Sequence, residues 1–402
     1  MGNVWQLPLA SLLLDSMAMA DPVVLVLGCG IGGVSAAREL RRLLPSSHRV
    51  IVIDRDAQAS FPPSYLWVMT GERRPEAIRR RRSLLSRKGI EFVNADVREI
   101  DLDAKYVRAE SREFHYDYLI LALGAETSLD TTPGLAEAGH SFYTMDGVER
   151  LAASLRYFAG GRVVIAVAGL PFKCPPAPYE AAMLLEHHFH SRRIRQKVEI
   201  ELYTPEQRPI AVAGEENGEA VMGLLAHRGI AFHPGKRLTS VDPVKREALF
   251  EDGSSAPFQL LIAVPEHRAP AVVRDTGLTN ETGWVPVDPE TLETRVSGVF
   301  AVGDITTFPL PDGMQLPKAG VFAEKQAIVA ARNIAFRLAG GPRPDPFDGQ
   351  GRCFLEVGAG AAGIAEGNFL APQRRIDLKQ PSIIWHWAKL AFERYWLWRA
   401  YG

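Results

Sequence analysis

The chain has 402 residues, 47% of them apolar and 23% charged, with a formal net charge of -1. That length exceeds one hydrophobic core and predicts two or three domains, and the composition excludes a disordered chain. The near-zero charge excludes a nucleic-acid partner, and three dispersed cysteines exclude a disulfide scaffold or a paired-cysteine zinc site, so no metal is expected.

Residues 7–14 are mildly apolar and Ala18-Met19-Ala20 imitates a cleavage site. No Lys or Arg precedes them and Asp15 interrupts, so a signal peptide is not expected, and Met17 or Met19 is a candidate start. No run of about 18 uncharged apolar residues occurs, so no transmembrane helix is expected either. Residues 23–27 then read as a buried parallel strand, followed at once by Gly28-Cys29-Gly30-Ile31-Gly32-Gly33 and a helical stretch over 34–43. A second strand over 49–53 ends in Asp54, 21 residues beyond Gly33. Gly28 permits the tight turn, Gly30 lets backbone approach a pyrophosphate, and Gly33 allows close helix–strand packing. Asp54 is placed to accept hydrogen bonds from ribose hydroxyls. Cys29, inside the loop, reads as structural, and Arg79 to Arg82 as a solvated helix face.

Residues 116–124 form a strand running into a turn at Gly124. A strand over 163–169 arrives where a second glycine loop is expected, but the chain continues Leu170-Pro171-Phe172-Lys173-Cys174-Pro175-Pro176-Ala177-Pro178-Tyr179-Glu180. One nucleotide site is present, and the place of the second holds a cysteine. Prolines beside Cys174 suit a rigid loop, and Lys173 is a cation that favours a thiolate; the plainer alternative is an inert buried cysteine. His187, His188 and His190 read as a solvated helix end. Strands follow over 198–203 and from Gly229, with a polar loop over 214–218 and a helix over 219–227 between them; 246–250 and 258–264 suggest a hairpin and a return strand. Residues 298–304 end a further strand in Gly303-Asp304, and Pro317-Lys318-Ala319-Gly320 precedes a helix over 324–338. Linkers fall near 131–137 and 340–346.

The strand-ending Gly124 and Gly303-Asp304 resemble the flavin domain of two-dinucleotide-binding flavoproteins, in which that Asp reaches the ribityl chain and the next helix points its N-terminus at the isoalloxazine. FAD is therefore the expected cofactor, held by Gly28, Gly30, Gly33, Asp54, Gly124, Gly303, Asp304 and Lys318. From about residue 22 to the C-terminus the chain resembles sulfide:quinone oxidoreductases and the flavoprotein subunit of flavocytochrome c sulfide dehydrogenases. Its most specific matches are Lys173-Cys174-Pro175-Pro176-Ala177-Pro178-Tyr179-Glu180 and Gly349-Gln350-Gly351-Arg352-Cys353. The resemblance implies a redox disulfide between Cys174 and Cys353, with Cys353 facing the flavin, Cys174 meeting sulfide first, and Glu180 relaying protons; the two cysteine roles are exchangeable. Cys353 reads equally as the start of a core strand. A third cysteine common in the family is missing between Ala125 and Met145, where Tyr143 lies, and a family histidine is missing near Thr204-Pro205-Glu206.

The implied fold is α/β: two Rossmann-like domains, 22–130 with 297–345 binding FAD and 131–296 carrying the cysteine loop. A C-terminal segment, 346–402, holds the second cysteine and a membrane-associating helix. Residues 383–401 contain four of the seven tryptophans. As a helix they place His386, Lys389 and Glu393 on a narrow polar stripe opposite a broad apolar face, with Lys389, Arg394 and Arg399 at phosphate level. The alternative is a helix closing the core or a dimer contact. Sulfide, quinone and a membrane surface, with peripheral attachment to a bacterial inner membrane, are the expected partners, and homo-oligomerisation stays open. The competing functions are a cytochrome-coupled sulfide dehydrogenase subunit, a redox sensor and a type II NADH:quinone reductase, the last of which needs the glycine loop that Ala168-Gly169-Leu170-Pro171 does not supply.

Overall fold

A computed structural model describes residues 21–402, and the expectations about a leader and an internal start lie outside them. Val23–Leu27, made only of Val and Leu, is almost wholly buried and forms the centre of a five-stranded parallel sheet. Arg49–Asp54 and Glu91–Asn94 extend it on one side, Tyr118–Leu121 and Val299–Ala301 on the other. The last strand returns from far along the chain, so two separated segments build this sheet. Helix Ile31–Leu43 packs against helix Gly320–Ala339.

A second parallel sheet centres on Gly161–Val167, with Val198–Tyr203 and Ile230–His233 on one side and Leu260–Val264 and Gly139–His140 on the other. Glu247–Phe250 pairs antiparallel with both Leu238–Asp242 and Ser255–Pro257, beside this sheet. The third layer is antiparallel: Gln350–Gly358, Ala361–Asn368 and Ile376–Ser382, with Cys353 opposite Ala365. Helix Ile383–Tyr401 ends the chain. Among the described residues no helix is long and apolar enough to cross a membrane.

Four expectations are corrected. The helix placed at 219–227 begins at Glu215, because Gly214 (φ +94°) breaks the backbone and Glu215 and Glu216 complement the helix N-terminus. The helix placed at 324–338 begins at Gly320. Arg79–Arg81 is a strand paired with Gln58–Ser60, and Arg82 is buried against Asp54 instead of lying on a solvated helix face. In the C-terminal helix Lys389 and Glu393 are 5% and 4% exposed, whereas Trp387 and Trp398 are 64% and 67% exposed. Lys389 thus points into the protein and not toward a surface phosphate.

Glu393 anchors this helix. Its carboxylate accepts from Ser64 Oγ at 2.5 Å and from Arg73 Nε at 3.1 Å. Arg73→Ala leaves a buried carboxylate with one neutral donor and should cost about 2–3 kcal/mol in urea denaturation, near the lower end for a broken buried pair because Arg73 is partly exposed. A loss below about 0.5 kcal/mol, typical of a surface ion pair, would show that Glu393 does not hold the helix.

Candidate active site

The glycine loop is built for a bound phosphate. Gly28 has φ +91°, and a Cβ there would lie 2.4 Å from Ala122 O; one on Gly33 would lie 1.8 Å from Gly28 O. Around Gly30, by contrast, a Cβ would meet nothing within 4 Å. Helix Ile31–Leu43 starts there without a side-chain cap, so its first-turn N–H groups point at that open space. Gly124 (φ +69°) likewise turns beside open space. Asp54 closes its strand with one oxygen accepting from Cys29 N at 2.6 Å and the other paired to Arg82. Cys29 is buried with its thiol pushed up to about 12 by burial, as a structural cysteine should be.

Gly320 brings a second uncapped helix N-terminus against the first, since a Cβ there would lie 2.6 Å from Ile31 Cδ1. Between Gly303 (φ +77°) and this helix sits Asp304, whose buried Oδ1 has no hydrogen-bond partner. Burial raises its pKa while Lys173 and Lys318 oppose the rise. Lys318 Nζ donates to Asp304 O at 2.7 Å and Thr306 O at 3.0 Å, and lies 3.3 Å from the Trp284 ring centroid.

Cys174 occupies the turn before helix Ala177–Ser191 with φ +56°, and its N–H donates to Lys318 O at 2.7 Å. That bond fastens the cysteine loop to the Asp304 side. Cys353 lies within strand Gln350–Gly358, against which the same helix packs. Both thiols are free. Pro175, Pro176 and Cys353 line one apolar cavity with Phe322, Phe354 and Phe369. Burial pushes Cys174 well above the usual thiol range, with Glu180 and Cys353 adding to the rise. Burial and then Glu180 push Cys353 up to about 12. The cation that favours both thiolates is Lys389, from the C-terminal helix. Lys173 donates to Ala125 O at 3.3 Å and interacts with Asp304 and, less, with Cys174.

Glu180 is 4% exposed, accepts from Glu356 N at 2.8 Å and lies 3.5 Å from Lys389 Nζ. Burial raises its pKa while Lys389 opposes the rise. Lys389, Glu356 and His386 are the neighbours that sequence reasoning did not place here. Their only signal was the three-and-four spacing of His386, Lys389 and Glu393, which marks a stripe but not the side it faces. Two thiols, an apolar cavity and a buried acid suit thiol–disulfide chemistry shielded from water.

Residues 22–327 match the pyridine nucleotide-disulphide oxidoreductases. The chain belongs to that family. The mouse mitochondrial sulfide:quinone oxidoreductase is 27% identical over 364 residues, which cover 87% of this chain and 78% of the relative. The sulfide-quinone reductase of Aquifex aeolicus is 27% identical over 401 residues, covering 94% and 90%. A crystal structure of the sulfide:quinone oxidoreductase from Aquifex aeolicus superposes with a TM-score of 0.86 at 26% identity, covering 94% of this chain and 91% of that one. The expected resemblance is therefore matched along almost the whole chain.

This oxidoreductase family uses FAD, and the residues fit it. Gly30 leaves room for a pyrophosphate, two helix N-termini converge on it, and Asp304 offers an unpartnered oxygen of the kind a ribityl hydroxyl would satisfy. The bound group supplies two-electron acceptance.

His267 lies close by, its ring edge-on to Tyr143 with centroids 4.7 Å apart. Nδ1 faces Pro265 O at 2.8 Å, Nε2 is buried without a partner, and burial followed by Lys173 pushes its pKa down to about 3. Folded protein thus binds fewer protons than unfolded protein between about pH 6.5 and 3. The neutral ring's contribution is complete above about pH 6.5 and is lost as pH falls toward 3. Acid denaturation followed by circular dichroism should show His267→Phe losing less stability over that interval than wild type; equal slopes would mean that His267 is not buried neutral.

Proposed function

We propose that this chain is a sulfide:quinone oxidoreductase that oxidises sulfide through a Cys174–Cys353 disulfide and passes two electrons by way of FAD to a quinone. The observation that carries the reading is the replacement of a second glycine loop by Cys174, held at φ +56° against Lys318 and sharing its electrostatic surroundings with Cys353. The names of the relatives at near-full length support the same reaction. Hydrosulfide attacks the disulfide, one sulfur becoming a persulfide and the other leaving as a thiolate. Re-forming the disulfide releases sulfur or a short polysulfide and two electrons, with Glu180 taking the proton. The apolar cavity beside Cys353, lined further by Ile376 and Leu378, has the chemistry of a quinone site.

Residues 346–402 then form the quinone-delivering segment, beside an FAD-binding unit of 22–130 with 297–345 and a cysteine-loop unit of 131–296. Ile383, Ile384, Trp387, Tyr395 and Trp398 are 54–68% exposed along one helix, a face suited to the membrane interface. The enzyme is peripheral on this reading, and quinone reaches the cavity from the bilayer.

Anaerobic titration tests the reaction. Sulfide should bleach the flavin band near roughly 450 nm, NADH should not, and a soluble quinone should restore it. Cys174→Ala and Cys353→Ala should each abolish bleaching by sulfide; retention in both would remove the disulfide from the mechanism. Restoration by cytochrome c but not by quinone would instead identify a dehydrogenase subunit. For membrane docking, Trp387→Ser with Trp398→Ser should lower co-sedimentation with lipid vesicles by at least roughly tenfold, two large apolar side chains being worth more than the ~1.4 kcal/mol this represents. Unchanged partitioning would assign the face to a protein contact.

A further inference from the structure

Beyond Glu180 the structure holds a row of buried titratable groups, of which Glu356 and His386 have no part in the sulfide chemistry. Lys389 Nζ lies 3.5 Å from Glu180 Oε1 and 3.7 Å from Glu356 Oε1. Glu356 Oε2 lies 3.1 Å from His386 Nδ1. Glu356 is 1% exposed, and its Oε1 has no hydrogen-bond partner. The side chain of His386 is 15% exposed, so the row runs from Glu180, in the electrostatic surroundings of both thiols, to the surface. It emerges next to Ile383, Ile384 and Trp387, on the apolar outer face of the C-terminal helix.

Charge balance gives the row a function. Two ionised carboxylates and one ammonium leave one negative charge in excess, which a proton on His386 or on a carboxylate cancels. Trp67 walls off the groups, its ring centroid 4.6 Å from Lys389 Nζ and 5.5 Å from the His386 ring, with no charge of its own. The charged groups facing His386 are therefore Glu356 and, behind it, Lys389 and Glu180; Lys379 lies over Trp385, and Glu393 is engaged by Ser64 and Arg73. Separations of 3.1–3.7 Å join these sites into one continuous row.

The reaction needs one. Hydrosulfide losing two electrons to become sulfur releases one proton, and a quinone gaining two electrons takes up two. One proton per turnover must come from water, into a cavity walled by apolar side chains. We propose that His386, Glu356 and Lys389 form a proton relay that carries this proton from the membrane-facing surface to Glu180 and the quinone. The inference rests on the sulfide:quinone reading, and only its quinone half is needed for the test.

Holoenzyme is reduced anaerobically with dithionite, mixed with a soluble quinone, and followed at the flavin band, with reduction by sulfide measured separately. His386→Ala and Glu356→Gln should slow reoxidation by roughly a hundredfold, the lower range for a lost acid–base group. Free imidazole should restore His386→Ala but not Glu356→Gln. For His386→Ala the loss should fall on reoxidation and not on reduction. In resting holoenzyme labelled with 15N-histidine, Glu356→Gln should shift the His386 ring resonances, since it removes the carboxylate that faces Nδ1. Unimpaired reoxidation, equal loss in both half-reactions, or slowing without imidazole rescue would overturn the relay. Wild-type enzyme that quinone reoxidises but sulfide does not reduce would overturn the sulfide reading and leave the relay standing.

Discussion

The ammonium of Lys389 sits between Glu180 and Glu356, two carboxylates that are 4% and 1% exposed. Acids taken that far from water are costly unless a cation and hydrogen bonds share the site. Here the cation comes from the C-terminal helix. To deliver it, that helix must turn its polar stripe inward, and the opposite face, rich in tryptophan, is left outside. Further along, Trp396, Leu397, Ala400 and Tyr401 are buried as well, so the inward face is polar in its middle and apolar at its end. One buried contact thus brings a cation beside both thiols and leaves tryptophans on the outer surface.

The same helix reaches the nucleotide loop. Nineteen residues of helix span about 28 Å, and at the far end Tyr401 lies buried with its hydroxyl 3.5 Å from Cys29 O. Arg399 pairs with Glu324 on the helix that starts at Gly320, and Arg38 on the first helix donates to Ala400 O. The C-terminal helix therefore braces both helices that present N-termini to the flavin site. Anything that lifts it would disturb the cofactor cradle and the carboxylate pair together.

The first parallel strands and the glycine loop were legible because their signals are local. An apolar run, a loop whose glycines each meet a steric need, and an acid at the next strand end require no knowledge of the partner surface. Cys174, Cys353 and Glu180 came from resemblance, and the structure brings Glu180 into the electrostatic surroundings of both thiols. What failed was orientation. Periodicity drew the His386, Lys389 and Glu393 stripe correctly, but a stripe faces inward or outward according to what it packs against. Arg82 was misjudged for the same reason: four successive arginines look solvated until one finds Asp54. Lys173 was credited with favouring the Cys174 thiolate, and it does interact with that cysteine, though more strongly with Asp304. The group favouring both thiolates lies 215 residues beyond Cys174.

The raised thiols sharpen the mechanism proposed for Cys174 and Cys353. A disulfide carries no charge and is not penalised by burial, whereas a thiolate in the same place is, as the upward shifts at both cysteines record. Attack by hydrosulfide therefore generates a leaving thiolate in an environment that resists it, stabilised mainly by Lys389. Such a thiolate has two ways to lose its charge: it takes a proton, or it gives up electrons. Glu180 is raised by burial and adjoins Lys389, so the proton is within reach, but protonation would strand the sulfur as an inert thiol. On the proposed mechanism, therefore, the leaving sulfur needs an electron acceptor beside it. The Cys174 N–H to Lys318 O bond ties the cysteine turn to the Asp304 wall of the cofactor cradle.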